Sequence, residues 1–266
     1  MLNICRRIAL LSREVDEMVI SGNGSRIDLF SICSDKHMRT IDVTEGEDIY
    51  KMTEGQEGIF VMGERTLHHI PDDELYGNKD RRKRHVLEFH ENLLDVVFFE
   101  DEQELLIVSR CLTIWNMSFK FWEESCETLH YVSPEKIAMF TTSTIIGESW
   151  ASATIVAGTS LGEITVFKPA SGQIHTFAGP EGMLFDMCRY ENRLYCVADD
   201  RSLSVYDCSS LISSDKKEKG SDDEISLKKL AQEYGHACRP FAVCADENGK
   251  IYTGGQDAVC FVRRSW

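Results

Sequence analysis

No stretch of this chain is apolar for long enough to cross a bilayer. The apolar run near the start, Ile8 to Leu11, is too short for a signal peptide and is followed at once by Arg13, Glu14, Asp16 and Glu17. That pattern predicts a soluble intracellular protein. Positive charge is scarce: 29 Lys and Arg stand against 44 Asp and Glu, for a net charge of −15. Such a chain repels a phosphate backbone at long range, which argues against nonspecific nucleic-acid binding but leaves room for a local basic patch. None of the ten cysteines forms C-x-x-C, and none has a histidine at zinc spacing. Cys188, Cys196 and Cys260 alternate within apolar segments and read as reduced, buried small hydrophobes. Dinucleotide, P-loop, nucleophile-elbow and zincin motifs are absent, and so is long helical periodicity. His68 and His69 sit in a strand pattern near Glu64 without a third ligand, so they read as core or edge residues. The chain carries no cofactor or metal signature of its own, and no repeated Asp, Glu or His set that could converge on a central channel. It reads as a non-enzyme.

What is present is period-two alternation in short runs rich in Val, Ile, Leu, Phe and Tyr, such as Ser25–Cys33, Gly58–Gly63, Leu93–Phe99, Leu112–Met117, Glu163–Lys168 and Ser202–Cys208. Turn tokens separate them, among them Gly22-Asn-Gly24, Glu191-Asn192 and Asn248-Gly249. With few prolines and frequent turns this is an all-β pattern. One strand recurs, closing at Phe30, Ile70, Trp115, Phe167, Tyr206 and Arg263. Once the polar stretch 211–232 is set aside, the spacing matches a propeller repeat of roughly 40–45 residues. The expected fold is a WD-repeat β-propeller spanning 1–266 as a single domain. It holds about six blades of a seven-bladed ring, with closure left open. The blades centre near 18–33, 58–70, 93–117, 137–168, 183–208 and 239–263. The aromatic closing position is expected to seal the contact between neighbouring blades. Two segments read as surface loops: the basic run Gly77–His85 and the charged, serine-rich stretch Ser213–Lys229. Residues 119–134 are irregular and should hold a fourth strand and a connection.

Gly235-His236 followed by Asp257 is the most informative spacing. In WD repeats such a histidine lies in the loop leading into a blade and bonds the aspartate of the turn between the second and third strands, pinning two loops of one blade. Asp200 falls in the same turn slot one repeat earlier, where Gly179-Pro180 replaces Gly-His. The slot reads as Gly24 in the first repeat, Ser109 in the third and Leu161 in the fourth. His236, Asp257, Asp200 and Trp115 are therefore structural candidates. Arg81, Arg82, Lys83 and Arg84 form the only concentrated positive charge, with three readings: a solvated loop, contact with RNA phosphate, or a nuclear-import signal.

Ser143-Thr-Ile-Ile-Gly-Glu-Ser-Trp150, followed by Ala153–Thr159 and Gly162–Phe167, resembles one WD-repeat family. Val197–Tyr206, Tyr234–Arg239 and Tyr252–Phe261 resemble it too. That family is the WD-repeat adaptor subunit of the tRNA wobble-position 2′-O-methyltransferase. The resemblance implies a non-catalytic, cytoplasmic protein that binds a separate methyltransferase using S-adenosylmethionine and positions tRNA for methylation of the wobble ribose. Family members are longer and have more than one propeller, so the resemblance implies an N-terminal portion. No family residue that contacts RNA or enzyme matches a motif here. A general WD-repeat interaction scaffold in trafficking or signalling is the alternative.

Overall fold

The computed structural model describes residues 8–13, 16–31, 34, 36–55, 57–77, 84–118, 127–130, 139–212, 225–246 and 248–264. Two compact units divide the chain, one from Asn3 to Tyr131 and one from Val132 to Trp266.

In the first unit, sheet one is β1 (Ile8–Arg13), β2 (Asp16–Asn23), β3 (Arg26–Ser31) and β4 (Lys36–Asp42). Sheet two is β5 (Lys51–Gly55), β6 (Gly58–Met62), β7 (Thr66–Pro71) and β8 (His85–Glu88), with the short helix α1 (Asp72–Tyr76) between its last two strands. Sheet three is β9 (Leu93–Phe99), β10 (Glu104–Ser109), β11 (Thr113–Ser118) and β12 (Glu127–His130). The second unit continues with sheet four, β13 (Phe140–Ile146), β14 (Thr154–Thr159), β15 (Glu163–Lys168) and β16 (Gln173–Ala178). Sheet five is β17 (Leu184–Tyr190), β18 (Arg193–Ala198), β19 (Ser202–Asp207) and β20 (Lys228–Tyr234), with α2 (Ser209–Ile212) after β19. Sheet six has three strands among the described residues, β21 (Pro240–Ala245), β22 (Lys250–Gly255) and β23 (Cys260–Arg264). Every sheet is an antiparallel meander in chain order. Among the described residues five sheets are complete four-stranded blades, fewer than the six expected.

Within each unit, consecutive sheets meet through their first strands: β1, β5 and β9 in one, β13, β17 and β21 in the other. Packing on both faces explains why the middle strands of sheets two to five are buried over most of their length. In sheet five, Leu194, Cys196 and Tyr206 join the core shared with sheet four, while Tyr195, Val197, Leu203 and Val205 join the core shared with sheet six. In sheet two, Ile59, Val61 and Ile70 face sheet one, and Phe60, Met62 and Leu67 face sheet three. Burying an aliphatic side chain of this size contributes about 1.5–3 kcal/mol. A single bulge recurs one residue into the first strand of sheets three to six, at Leu94, Thr141, Phe185 and Phe241, and re-aims the strand where it enters the core.

Fourth strands follow a different rule. β16 reads Gln-Ile-His-Thr-Phe-Ala and β20 reads Lys-Lys-Leu-Ala-Gln-Glu-Tyr, both largely exposed. The lysines and glutamate of β20 block edge-to-edge pairing. The stretch 211–232 is therefore not one polar loop: Leu211 and Ile225 are buried, and Lys228 onward is β20. The fourth strand expected within 119–134 is β12. The basic run lies mostly outside the described residues.

Candidate functional site

In sheets two to six the loops leading into each sheet meet the turns between its second and third strands. In sheets three to six a main-chain clamp repeats. The residue before the first strand accepts the first amide of the turn: Arg110 N–H to Asn92 O (2.9 Å), Ser160 to Met139 (2.9 Å), Asp199 to Met183 (3.0 Å) and Gln256 to Arg239 (2.8 Å). Each of these turns then passes through one residue of positive φ, respectively Leu112, Gly162, Arg201 and Ala258. That shared landmark fixes the alignment. Asp257, Asp200, Leu161 and Cys111 precede the positive-φ residue. In sheet three the slot belongs to Cys111 rather than Ser109.

Side chains reinforce the clamp differently in each sheet. In sheet six, His236 Nδ1 donates to the Asp257 carboxylate (3.0 and 3.1 Å) and Nε2 lies 2.9 Å from Thr253 Oγ1. Asp257 also accepts the amides of Ala237 (2.9 Å) and Val259 (3.2 Å), and the Phe261 ring stands edge-on to His236 at 4.8 Å. Burial by itself would raise the Asp257 pKa, but the bonds from His236, Val259 and Ala237 outweigh it and hold the carboxyl below its ordinary value. Gly255 is required here, because a Cβ would lie 2.6 Å from His236 Nδ1 and 2.9 Å from Asp257 Oδ1. Asp200 has no histidine partner. It accepts Ser202 N–H (2.9 Å) and Gln232 Nε2 (2.9 Å). In sheets three and four a hydroxyl stands where sheet six has Gly255: Ser109 Oγ accepts the amides of Cys111 and Thr113, and Thr159 Oγ1 those of Leu161 and Glu163.

Sequence reasoning missed a second kind of clamp, built from a carboxylate in the leading loop. Ser109 Oγ donates to Glu91 Oε2 (2.6 Å), and Thr66 Oγ1 donates to Glu47 Oε2 (2.8 Å). Nothing in the spacing distinguishes these glutamates from solvated ones. Trp115 lies opposite Ile107, the register row that holds Phe261 in sheet six and Ser204 in sheet five. Met117, not Trp115, shares the row of Phe167 and Tyr206. Trp115 packs in the core between sheets two and three and meets its own leading loop through Phe89 (4.8 Å) and His90 (6.3 Å).

Arg81, Arg82 and Lys83 lie outside the described residues. Arg84 is engaged: Nε and Nη2 bind both oxygens of Glu74 (2.8 and 2.5 Å), and Nη1 donates to Asp42 O (2.7 Å). His68 and His69 are both buried. Cys196 and Cys208 are buried and Cys188 half-buried, but Cys260 is exposed, as are Cys111, Cys238 and Cys244. Cys260 departs from the expectation: it lies on β23, the outermost strand of its sheet among the described residues, and is exposed there. Burial pushes the Cys208 thiol up to about 11 and the Cys188 and Cys196 thiols well above their ordinary range. Among the described residues no cluster of His, Cys, Asp and Glu is arranged to hold a metal, and no helix is long and apolar enough to cross a membrane.

No protein-family model and no curated protein matches the chain. Solved structures do. A chain in the crystal structure of the Mitotic Checkpoint Complex aligns with a TM-score of 0.67 at 12% identity, covering 97% of this chain and 74% of that one. The computationally designed Ika8 protein aligns at 0.62 and 15% identity, covering 97% and 70%. The fold is a β-propeller. At these identities the likeness concerns the fold alone. Sheets three to six are degenerate in their side-chain clamps and regular in their main-chain ones.

Proposed function

We propose that this propeller is a non-catalytic scaffold that binds a tRNA 2′-O-ribose methyltransferase and positions tRNA for methylation of the wobble nucleotide. The observation that carries the reading is where its most family-like segment lies. Ser143–Thr159 forms the first hairpin of sheet four, and its loop is tightly organised. The Ser149 and Ser152 hydroxyls bond each other (2.9 Å), and Ser152 Oγ accepts the amides of Glu148 and Ser149 (both 3.2 Å). Gly147 enters that loop at φ 119°, where a Cβ would meet the Ser152 carbonyl. The loop holds Trp150 half-buried at its tip. An aromatic on a rigid loop can anchor a partner at little cost in conformational entropy. Positioning alone is worth several kcal/mol to a partner enzyme's rate. S-adenosylmethionine belongs to that enzyme. Arg81, Arg82 and Lys83 are proposed to contact tRNA phosphate, with Arg84 tied to Glu74 as the anchor of the run. The proposed location is the cytoplasm.

Depleting the protein and mapping ribose methylation tests this reading. Loss confined to wobble positions is expected, and unchanged methylation overturns it. A general interaction scaffold for trafficking or signalling is the second reading. It is favoured by an exposed apolar pair beside one clamp, Met139 (52% exposed) and Leu161 (58%). Affinity purification separates the two: a methyltransferase among the partners supports the first, and endosomal or kinase partners without one support the second.

A further inference from the structure

Two buried histidines in this propeller are satisfied differently. Both ring nitrogens of His236 have partners. His68, on β7, is 5% exposed, and only Nε2 is engaged, 3.0 Å from Thr66 Oγ1. The direction of that bond is fixed. Thr66 gives its own proton to the Glu47 carboxylate, so Nε2–H must donate to the threonine oxygen. Nδ1 is then a buried lone pair with no partner. The ring is built for its neutral form, since a proton on Nδ1 would be a buried donor with nothing to accept it.

The charged groups around the ring are Arg84, just ahead of β8, and Glu45 and Glu47 in the connection from β4 to β5. Glu88 lies opposite Thr66 on β8. Strand alternation turns His69 to the other face, where it packs against Phe60 and His85. Arg84 is the keystone of this corner. It grips Glu74 of α1 with two bonds and the Asp42 carbonyl with a third, while Arg39 bonds the Glu74 carbonyl (2.6 Å).

We propose that His68 is an acid-sensitive latch: neutral, it lets Arg84 hold α1 and β8 against sheet two, and protonated it drives Arg84 off Glu74 and loosens both elements. Burial lowers the His68 pKa from its ordinary 6.5, Arg84 lowers it further, and Glu47 and Glu45 oppose them. The sign follows. The unfolded chain takes up the proton first, so the corner loses stability as pH falls below about 6.5 towards the lower folded value.

The test is amide hydrogen exchange on the full chain at about pH 7.5 and about pH 5.5, corrected for the intrinsic pH dependence of exchange. In the wild type, protection of Leu75 and Leu87 is expected to fall at the lower pH, by up to about tenfold. In His68→Gln, which can still donate to Thr66 but cannot ionise, protection is expected to stay level. Unchanged wild-type protection, or an equal loss in His68→Gln, overturns the proposal. If that variant does not fold, an NMR titration of the His68 ring in the wild-type protein decides. A midpoint below 6.5 with matching shifts at Arg84 supports the latch, and a midpoint at or above 6.5 overturns it.

Discussion

Asp186 accepts the main-chain N–H of Val243, 57 residues further along the chain, at 2.9 Å. Its other oxygen lies 3.5 Å from the Thr142 hydroxyl, so one carboxylate on β17 reaches the first strands of both neighbouring sheets. Asp95, one residue beyond the corresponding bulge of β9, is buried and pairs with Lys51 of β5. Removing the acceptor leaves a buried amide unsatisfied. Asp186→Ala is expected to destabilise the protein by about 1–3 kcal/mol. Asp186→Asn keeps one acceptor and should lose less. Urea denaturation of the two variants checks the order.

These aspartates stand in view in the sequence. They interrupt Leu93-Leu-Asp-Val-Val and Leu184-Phe-Asp-Met-Cys at the same point of the repeat. Their role is invisible there, because strand alternation gives no partner 44 or 57 residues away. The central strands and the His236–Asp257 pair were legible because two-sided burial and a fixed spacing leave marks on composition. Outer strands such as β4, β16 and β20 were not, since an exposed edge needs no apolar pattern. The sequence also points to the wrong residue for the turn slot of sheet three. Ser109 resembles a capping residue, and only the positive φ at Leu112 shows that Cys111 fills the slot.

Gly255 and His236 compete for one space. Gly255→Ala is expected to cost about 1–3 kcal/mol through overpacking. In the His236→Ala background the added methyl no longer meets the imidazole, so the two losses should be less than additive. A double-mutant cycle on thermal unfolding measures this coupling, and full additivity would separate the two residues.

The Asp257 carboxyl has a folded pKa below the roughly 3.9 of an unfolded aspartate. Its stabilisation is therefore complete above about pH 4 and is lost as pH falls through the folded value. Asp257→Asn should be less stable than the wild type at neutral pH, and the gap should close in acid. Denaturation midpoints across that range report it.

Thiol chemistry should follow exposure. Cys111, Cys238, Cys244 and Cys260 are expected to react with a thiol reagent in the native protein, and Cys196, Cys208 and Cys188 only after unfolding. Mass spectrometry of labelled peptides distinguishes the two sets.

In sheets three to six the repeated main-chain clamp between leading loop and turn keeps the blades regular where their side chains have diverged. Residue-resolved amide exchange tests it at four turn positions: Arg110, Ser160, Asp199 and Gln256. All four amides should exchange as slowly as those of the adjoining second strands. Rates typical of exposed turns at these positions would contradict it.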